Sequence, residues 1–146
     1  MKSIEKSILI AEKRSSVFKT LLTPSDIIKW WEADYAMIQP QREGYYIVSW
    51  GKDIDNPEYT SVAEIKDFII NESFKLENYK YSADGSMPDF SRGFTVVFKL
   101  YDHDNHTLLT VEHHGFPENE KGNEFYNACV KGWNDTLNNI KSYIED

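Results

Sequence analysis

The chain has one cysteine, Cys129, in 146 residues. That excludes an internal disulfide and a cysteine-built zinc cage. No apolar run approaches the length of about eighteen residues that spans a bilayer, and the Met1-Lys2-Ser3-Ile4 start has no continuous apolar core of a secretory leader. The expectation is a soluble, cytoplasmic protein. Positive charge is scarce: 16 Lys and Arg against 24 Asp and Glu give a net charge of −8 and a pI near 5.0. Such a surface repels phosphate backbones, so nucleic acid is an unexpected partner. The 7 glycines are scattered and form no phosphate-cradling loop. Neither a His-Glu-x-x-His helix nor a Gly-x-Ser-x-Gly elbow occurs.

The chain does have aromatics, at 14% of residues. They are spread along its length, which allows either a wide, partly open interior or a dense aromatic core. From Glu120 to Glu145, apolar residues recur at Phe125, Cys129, Trp133, Leu137, Ile140 and Ile144. Steps of three and four place them on one stripe of an amphipathic helix of about seven turns. Its apolar face needs a broad surface to cover, and upstream only a set of strands offers one.

Those strands are legible in order. Ser3 to Ala11 is rich in β-branched residues and reads as a first strand. Ser15 or Ser16 caps a short helix over Val17 to Leu22, and Pro24 with Ser25 or Asp26 restarts a second through Ile27, Ile28, Trp30 and Trp31. Strands follow over Tyr35 to Gln39, Tyr45 to Trp50, Tyr59 to Phe68 and Ser73 to Tyr81, the last with Phe74, Leu76 and Asn78 on one face. Ser82 to Arg92, with Gly85 and Pro88, reads as the longest loop. Gly93 to Leu100 and Thr107 to Gly115 form a hairpin about the turn Asp102-His103-Asp104-Asn105. Helices segregated from a meandering antiparallel sheet make an α+β fold, expected as a single domain over residues 1–146.

Val17-Phe18-Lys19-Thr20-Leu21-Leu22-Thr23-Pro24 followed by Trp30-Trp31 resembles a motif of the START-like superfamily, also called SRPBCC or Bet v 1-like. So do Gly44-Tyr45-Tyr46, Val62-Ala63-Glu64-Ile65, Thr107-Leu108-Leu109, His113-His114-Gly115-Phe116 and Gly132-Trp133 with Leu137. More narrowly, the chain is similar to the Hsp90 ATPase activator homologue-1-like group, departing from it at Glu43-Gly44, where a Gly-Gly pair is usual. The resemblance implies a helix-grip fold, in which a curved antiparallel sheet wraps a long C-terminal helix with two short helices after strand 1. It also implies a cavity between sheet and helix, since many relatives bind hydrophobic small molecules or lipids there, while some members of the superfamily are enzymes.

On that frame, the expected ligand-binding residues are Trp31, Tyr46, Val48, Trp50, Phe74, Val96, Phe98, Leu109, Val111, His113, Phe125, Cys129 and Trp133, with Tyr46 and His113 as polar anchors. His113 shares a face with Leu109 and Val111; it reads first as a core histidine bonded to a neighbouring carbonyl, and alternatively as a group that orients a ligand head. Cys129 reads as a small core residue. Gly132 would let the helix approach a strand or let the Trp133 ring lie flat. Glu64 faces inward if Val62 does and outward if Ala63 and Ile65 face inward, and composition leaves both registers open. His103, Asp104 and His106 beside Asp102 read as a solvated turn, so no metal and no cofactor is expected. The leading expectation is non-catalytic binding of an apolar or amphipathic small molecule. The alternatives are an interaction protein for a chaperone ATPase and a small cyclase or hydrolase using His113 with Tyr46 or Glu64.

Overall fold

A computed structural model describes residues 2–53, 55–83 and 93–146. Its elements run β1 (Lys2–Ile10), α1 (Arg14–Leu22), α2 (Pro24–Trp30), β2 (Tyr35–Ile38), β3 (Tyr45–Trp50), β4 (Tyr59–Ile69), β5 (Ser73–Ala83), β6 (Phe94–His103), β7 (His106–Phe116) and α3 (Glu120–Glu145). All strands join one antiparallel sheet in the order β1-β7-β6-β5-β4-β3-β2. The α+β helix-grip arrangement expected from the sequence is the one observed. The expected Ser82 to Arg92 loop differs at its start, where Ser82 and Ala83 continue β5; from residue 84 to 92 it lies outside the described residues.

The long helix begins where its cap predicts: Asn119 Oδ1 accepts from the Gly122 amide at 2.7 Å. Its far end is tied to β1, because Lys141 donates to the Leu9 carbonyl at 2.6 Å and Glu145 accepts from the Ala11 amide at 2.8 Å. Between these ties Trp133, Thr136, Leu137 and Ile140 are buried against the sheet. The short helices start differently from expectation. Lys13 holds the N-cap position of α1 and Ser15 and Ser16 lie inside the helix, while Thr23 caps α2 with Pro24 at its first turn; neither cap makes a side-chain hydrogen bond. Thr23 Oγ1 instead donates back to the Lys19 carbonyl at 2.7 Å, so the α1–α2 junction is fixed by the end of the first helix.

Regular alternation places Phe94, Val96, Phe98 and Leu100 of β6 and Leu109, Val111 and His113 of β7 inside. The β6–β7 turn puts Asp104 and Asn105 at φ of 48° and 68°, the two left-handed residues of a tight hairpin. In β5 the alternation is interrupted. Leu76 pairs with Val96 and Tyr79 with Phe94, so β5 advances three residues while β6 advances two; against β4 the same extra residue appears between Glu77 and Lys80. Asn78, at φ 53°, takes up this bulge and is exposed. The expected inward set Phe74, Leu76 and Asn78 is therefore Phe74, Leu76 and Tyr79, and every inward side chain beyond the bulge changes parity. On β4, Ala63 and Ile65 are buried, which settles the open register: Glu64 faces outward, 3.6 Å from Lys66.

Candidate functional site

Sheet and helix enclose a cavity of about 390 Å3. Its wall is Trp31 after α2, Trp50 of β3, Tyr59 of β4, Tyr79 and Tyr81 of β5, Phe94 of β6, His113 of β7, and Phe125, Ala128, Cys129, Gly132, Trp133 and Thr136 of α3. Tyr59, Ala128 and Gly132 are exposed and mark its open side. Eight of these residues are Trp, Tyr or Phe, and none is Lys, Arg, Asp or Glu. A volume in the range of roughly 300–1,000 Å3 with an apolar wall and few polar groups is the usual form of a small-molecule pocket.

Six of the expected ligand-binding residues stand in this wall: Trp31, Trp50, His113, Phe125, Cys129 and Trp133. The other seven, Tyr46, Val48, Phe74, Val96, Phe98, Leu109 and Val111, are buried in the core outside it. There Tyr46, Phe74 and Phe98 stack in sequence with centroid separations of 6.1 and 5.1 Å, and Phe18 meets Phe74 edge-on at 5.9 Å. Tyr46 has a structural role in place of the expected anchoring one, since its hydroxyl donates to the Leu21 carbonyl at 2.8 Å and pins α1 to β3.

Sequence reasoning missed Tyr79 and Tyr81 because strict alternation carried past Asn78 turns them outward. An asparagine in mid-strand, a residue that tolerates left-handed backbone, was the available signal. Phe94 lies on the same face as Val96 and Phe98, so alternation alone could have found it. Gly132 holds the helix close to nothing: a Cβ built there meets no atom within 4 Å. It stands exposed at the open side of the cavity, and the close approach to a strand expected for it is not made.

His113 sits at the junction of wall and core, 4% exposed. Trp133 Nε1 donates to its Nδ1 at 3.0 Å. The histidine is thus bonded to an indole of the facing helix, where a carbonyl was expected. An indole only donates, so Nδ1 carries the lone pair and the neutral ring bears its proton on Nε2. Burial, with a smaller push from His114, lowers its pKa to about 3. Nε2 is buried with no hydrogen-bond partner. Phe94 meets the ring edge-on at 5.1 Å and Phe116 lies at 4.4 Å.

Burial also pushes the Tyr79 phenol up to about 12, with Ser61 pulling the other way, and the Cys129 thiol up to about 12. Cys129 is a protonated wall residue at neutral pH, not a thiolate. The pairings of His113 with Tyr46 or Glu64 are not formed, because Tyr46 is bonded to α1 and Glu64 lies on the outer face. In the hairpin turn, His106 Nδ1 lies 3.1 Å from the Asp104 carbonyl and Asp102 pairs with Arg14 at 3.0 Å. Among the described residues no group of three or more His, Cys, Asp or Glu could hold a metal ion, and no helix is long and apolar enough to cross a membrane.

The family model described as Activator of Hsp90 ATPase homolog 1-like protein matches residues 12–145. The chain belongs to that family. Solved structures share the fold of this Hsp90-activator-like chain over nearly its whole length. Protein MLL2253 from Mesorhizobium loti superposes with a TM-score of 0.79 at 16% identity, covering 99% of this chain and 97% of its own. The Aha1 dimer from Colwellia psychrerythraea gives 0.76 at 19% identity, covering 97% and 94%. PFC0360w, an HSP90 activator from Plasmodium falciparum, gives 0.72 at 16% identity, covering 99% and 97%. No curated protein sequence matches. At these identities the structural likeness concerns the fold.

Proposed function

We propose that this member of the Hsp90-activator-like family binds an apolar or amphipathic small molecule, non-covalently, in the cavity between sheet and α3. The observation that carries this is the wall itself: about 390 Å3 bounded by eight aromatic residues and no charged one. The wall rings touch one another, Trp31 with Trp50 at 5.3 Å and Phe94 with Phe125 at 5.5 Å, and still leave this space between sheet and helix. The side chains assigned to contact the ligand are those of the wall, with Trp31, Trp50 and Trp133 as its broadest surfaces. Native mass spectrometry of the purified protein, with a thermal-shift screen of fatty acids, aromatics and polyketide-like compounds, tests the reading. The expected result is a retained mass or a rise in melting temperature with at least one apolar compound. No retained mass and no stabilisation by any of them overturns it.

A second reading, a chaperone ATPase as protein partner, is supported by the family match and by the HSP90 activator among the structural neighbours. It is tested by the ATPase rate of a bacterial Hsp90 with increasing amounts of this protein. An unchanged rate at saturation removes it.

A further inference from the structure

The sheet side of the cavity gathers three polar side chains, two of which have a buried atom without a hydrogen-bond partner. His113 and Tyr79 both stand in the wall, 4% and 8% exposed, with ring centroids 6.2 Å apart. Behind them Ser61, 1% exposed, pairs with Tyr81 across β4 and β5, which makes it a diagonal neighbour of Tyr79 on the inner face. Neither His113 Nε2 nor Ser61 Oγ has a hydrogen-bond partner. Orphaned polar atoms are rare in interiors, and two of them flanking one tyrosine in a cavity wall mark a place built to meet a polar atom. Because Trp133 occupies the acceptor nitrogen of His113, its remaining atom is a donor, Nε2–H. The complementary ligand atom is therefore an acceptor.

Charge narrows the class. With no cationic side chain in the wall, a ligand carboxylate would be buried without a counter-ion, and a cationic amine would find no carboxylate. A pure hydrocarbon would leave the donors unpaired. We propose that the sheet side of the cavity reads an uncharged acceptor oxygen through His113 Nε2–H and the Tyr79 hydroxyl, and that the ligand is a neutral, carbonyl-bearing apolar molecule. This rests on the reading of the cavity as a ligand site. Nε2 is buried, so the ligand oxygen reaches it when a neighbouring side chain turns aside, a change of the kind common on binding.

Calorimetric titration with three probes tests it: benzophenone, diphenylmethane, which has the same rings without the oxygen, and 4-benzoylbenzoate, which adds a charge. Benzophenone is expected to bind roughly 3- to 10-fold more tightly than diphenylmethane. Tyr79→Phe should shrink that ratio by weakening benzophenone more than diphenylmethane, and the carbonyl carbon of bound benzophenone should move downfield in its NMR spectrum. Unliganded Ser61→Ala should melt no lower than the parent, since it removes an atom without a hydrogen-bond partner; a marked drop would show a structural partner and overturn the assignment. Equal affinity for benzophenone and diphenylmethane, or tighter binding of 4-benzoylbenzoate, overturns the acceptor-oxygen proposal and leaves the cavity reading standing. If none of the three binds, the proposal and the cavity reading both fall for molecules of this size.

Discussion

The two halves of α3 meet the same sheet with opposite results. Toward the C-terminus, Leu137 and Ile140 are 3% and 0% exposed and close on a packed core. Toward the N-terminus, Phe125 and Cys129 are only partly buried and, with Ala128 and Gly132, roof a cavity. The apolar spacing is equally regular in both halves, so the helix does not make the difference. Tyr79 and Tyr81 face the N-terminal half only because the Asn78 bulge flips the parity of β5 beyond it. A bulge re-aims side chains and twists its strand. Side chains on a helix determine what can line a pocket, while the register of the opposing strand determines whether the pocket exists.

The contrast is most strongly tested at Ile140. Ile140→Ala should destabilise by about 2–5 kcal/mol, because the packed half has no pre-existing space to absorb the loss, and urea unfolding would read it as a lower midpoint. A cost below about 1 kcal/mol would mean that the two halves are not differently packed.

Next in size is the acid response of His113, at the border between the halves. Its pKa is about 3 when folded, against about 6.5 when unfolded. Between those values the unfolded chain binds a proton that the folded chain does not, so stability falls as pH drops. The loss is about 2 kcal/mol by pH 5. Glu112, held below the ordinary carboxylate range chiefly by Lys99, adds its own loss only as pH falls below about 4.5, below the window from pH 7 to 5. His113→Gln, whose carbonyl can still accept from Trp133, should flatten the stability profile over that window. An unchanged slope would place His113 outside the buried set.

The smallest effect has the opposite sign. Gly132 is helical with open space where a Cβ would stand, so Gly132→Ala should stabilise by up to about 1 kcal/mol through helix propensity alone. Destabilisation would mean that the helix lies closer to a neighbour than described.

Much of this was written in local patterns. The terminal helix from Glu120 to Glu145, the paired short helices about Pro24, and the β6–β7 hairpin about Asp104 and Asn105 each follow from periodicity or turn chemistry that neighbouring residues impose on one another. The interior was less legible, because the same aromatic residue suits a packed core and a cavity wall. Tyr46 reads as an anchor until its hydroxyl is seen on the Leu21 carbonyl. Glu43 shows the reverse. The family resemblance leads one to expect glycine there, and its φ of 68° is a conformation that favours glycine, yet nothing around Glu43 in the sequence reveals that backbone conformation.

Three of the four tryptophans, Trp31, Trp50 and Trp133, border the cavity, and the fourth, Trp30, stacks on Trp31 at 5.1 Å. Most of the protein's indole emission therefore originates at the cavity wall. On the proposed reading, occupancy would change the colour and yield of that light, and the unlabelled chain would report its own binding.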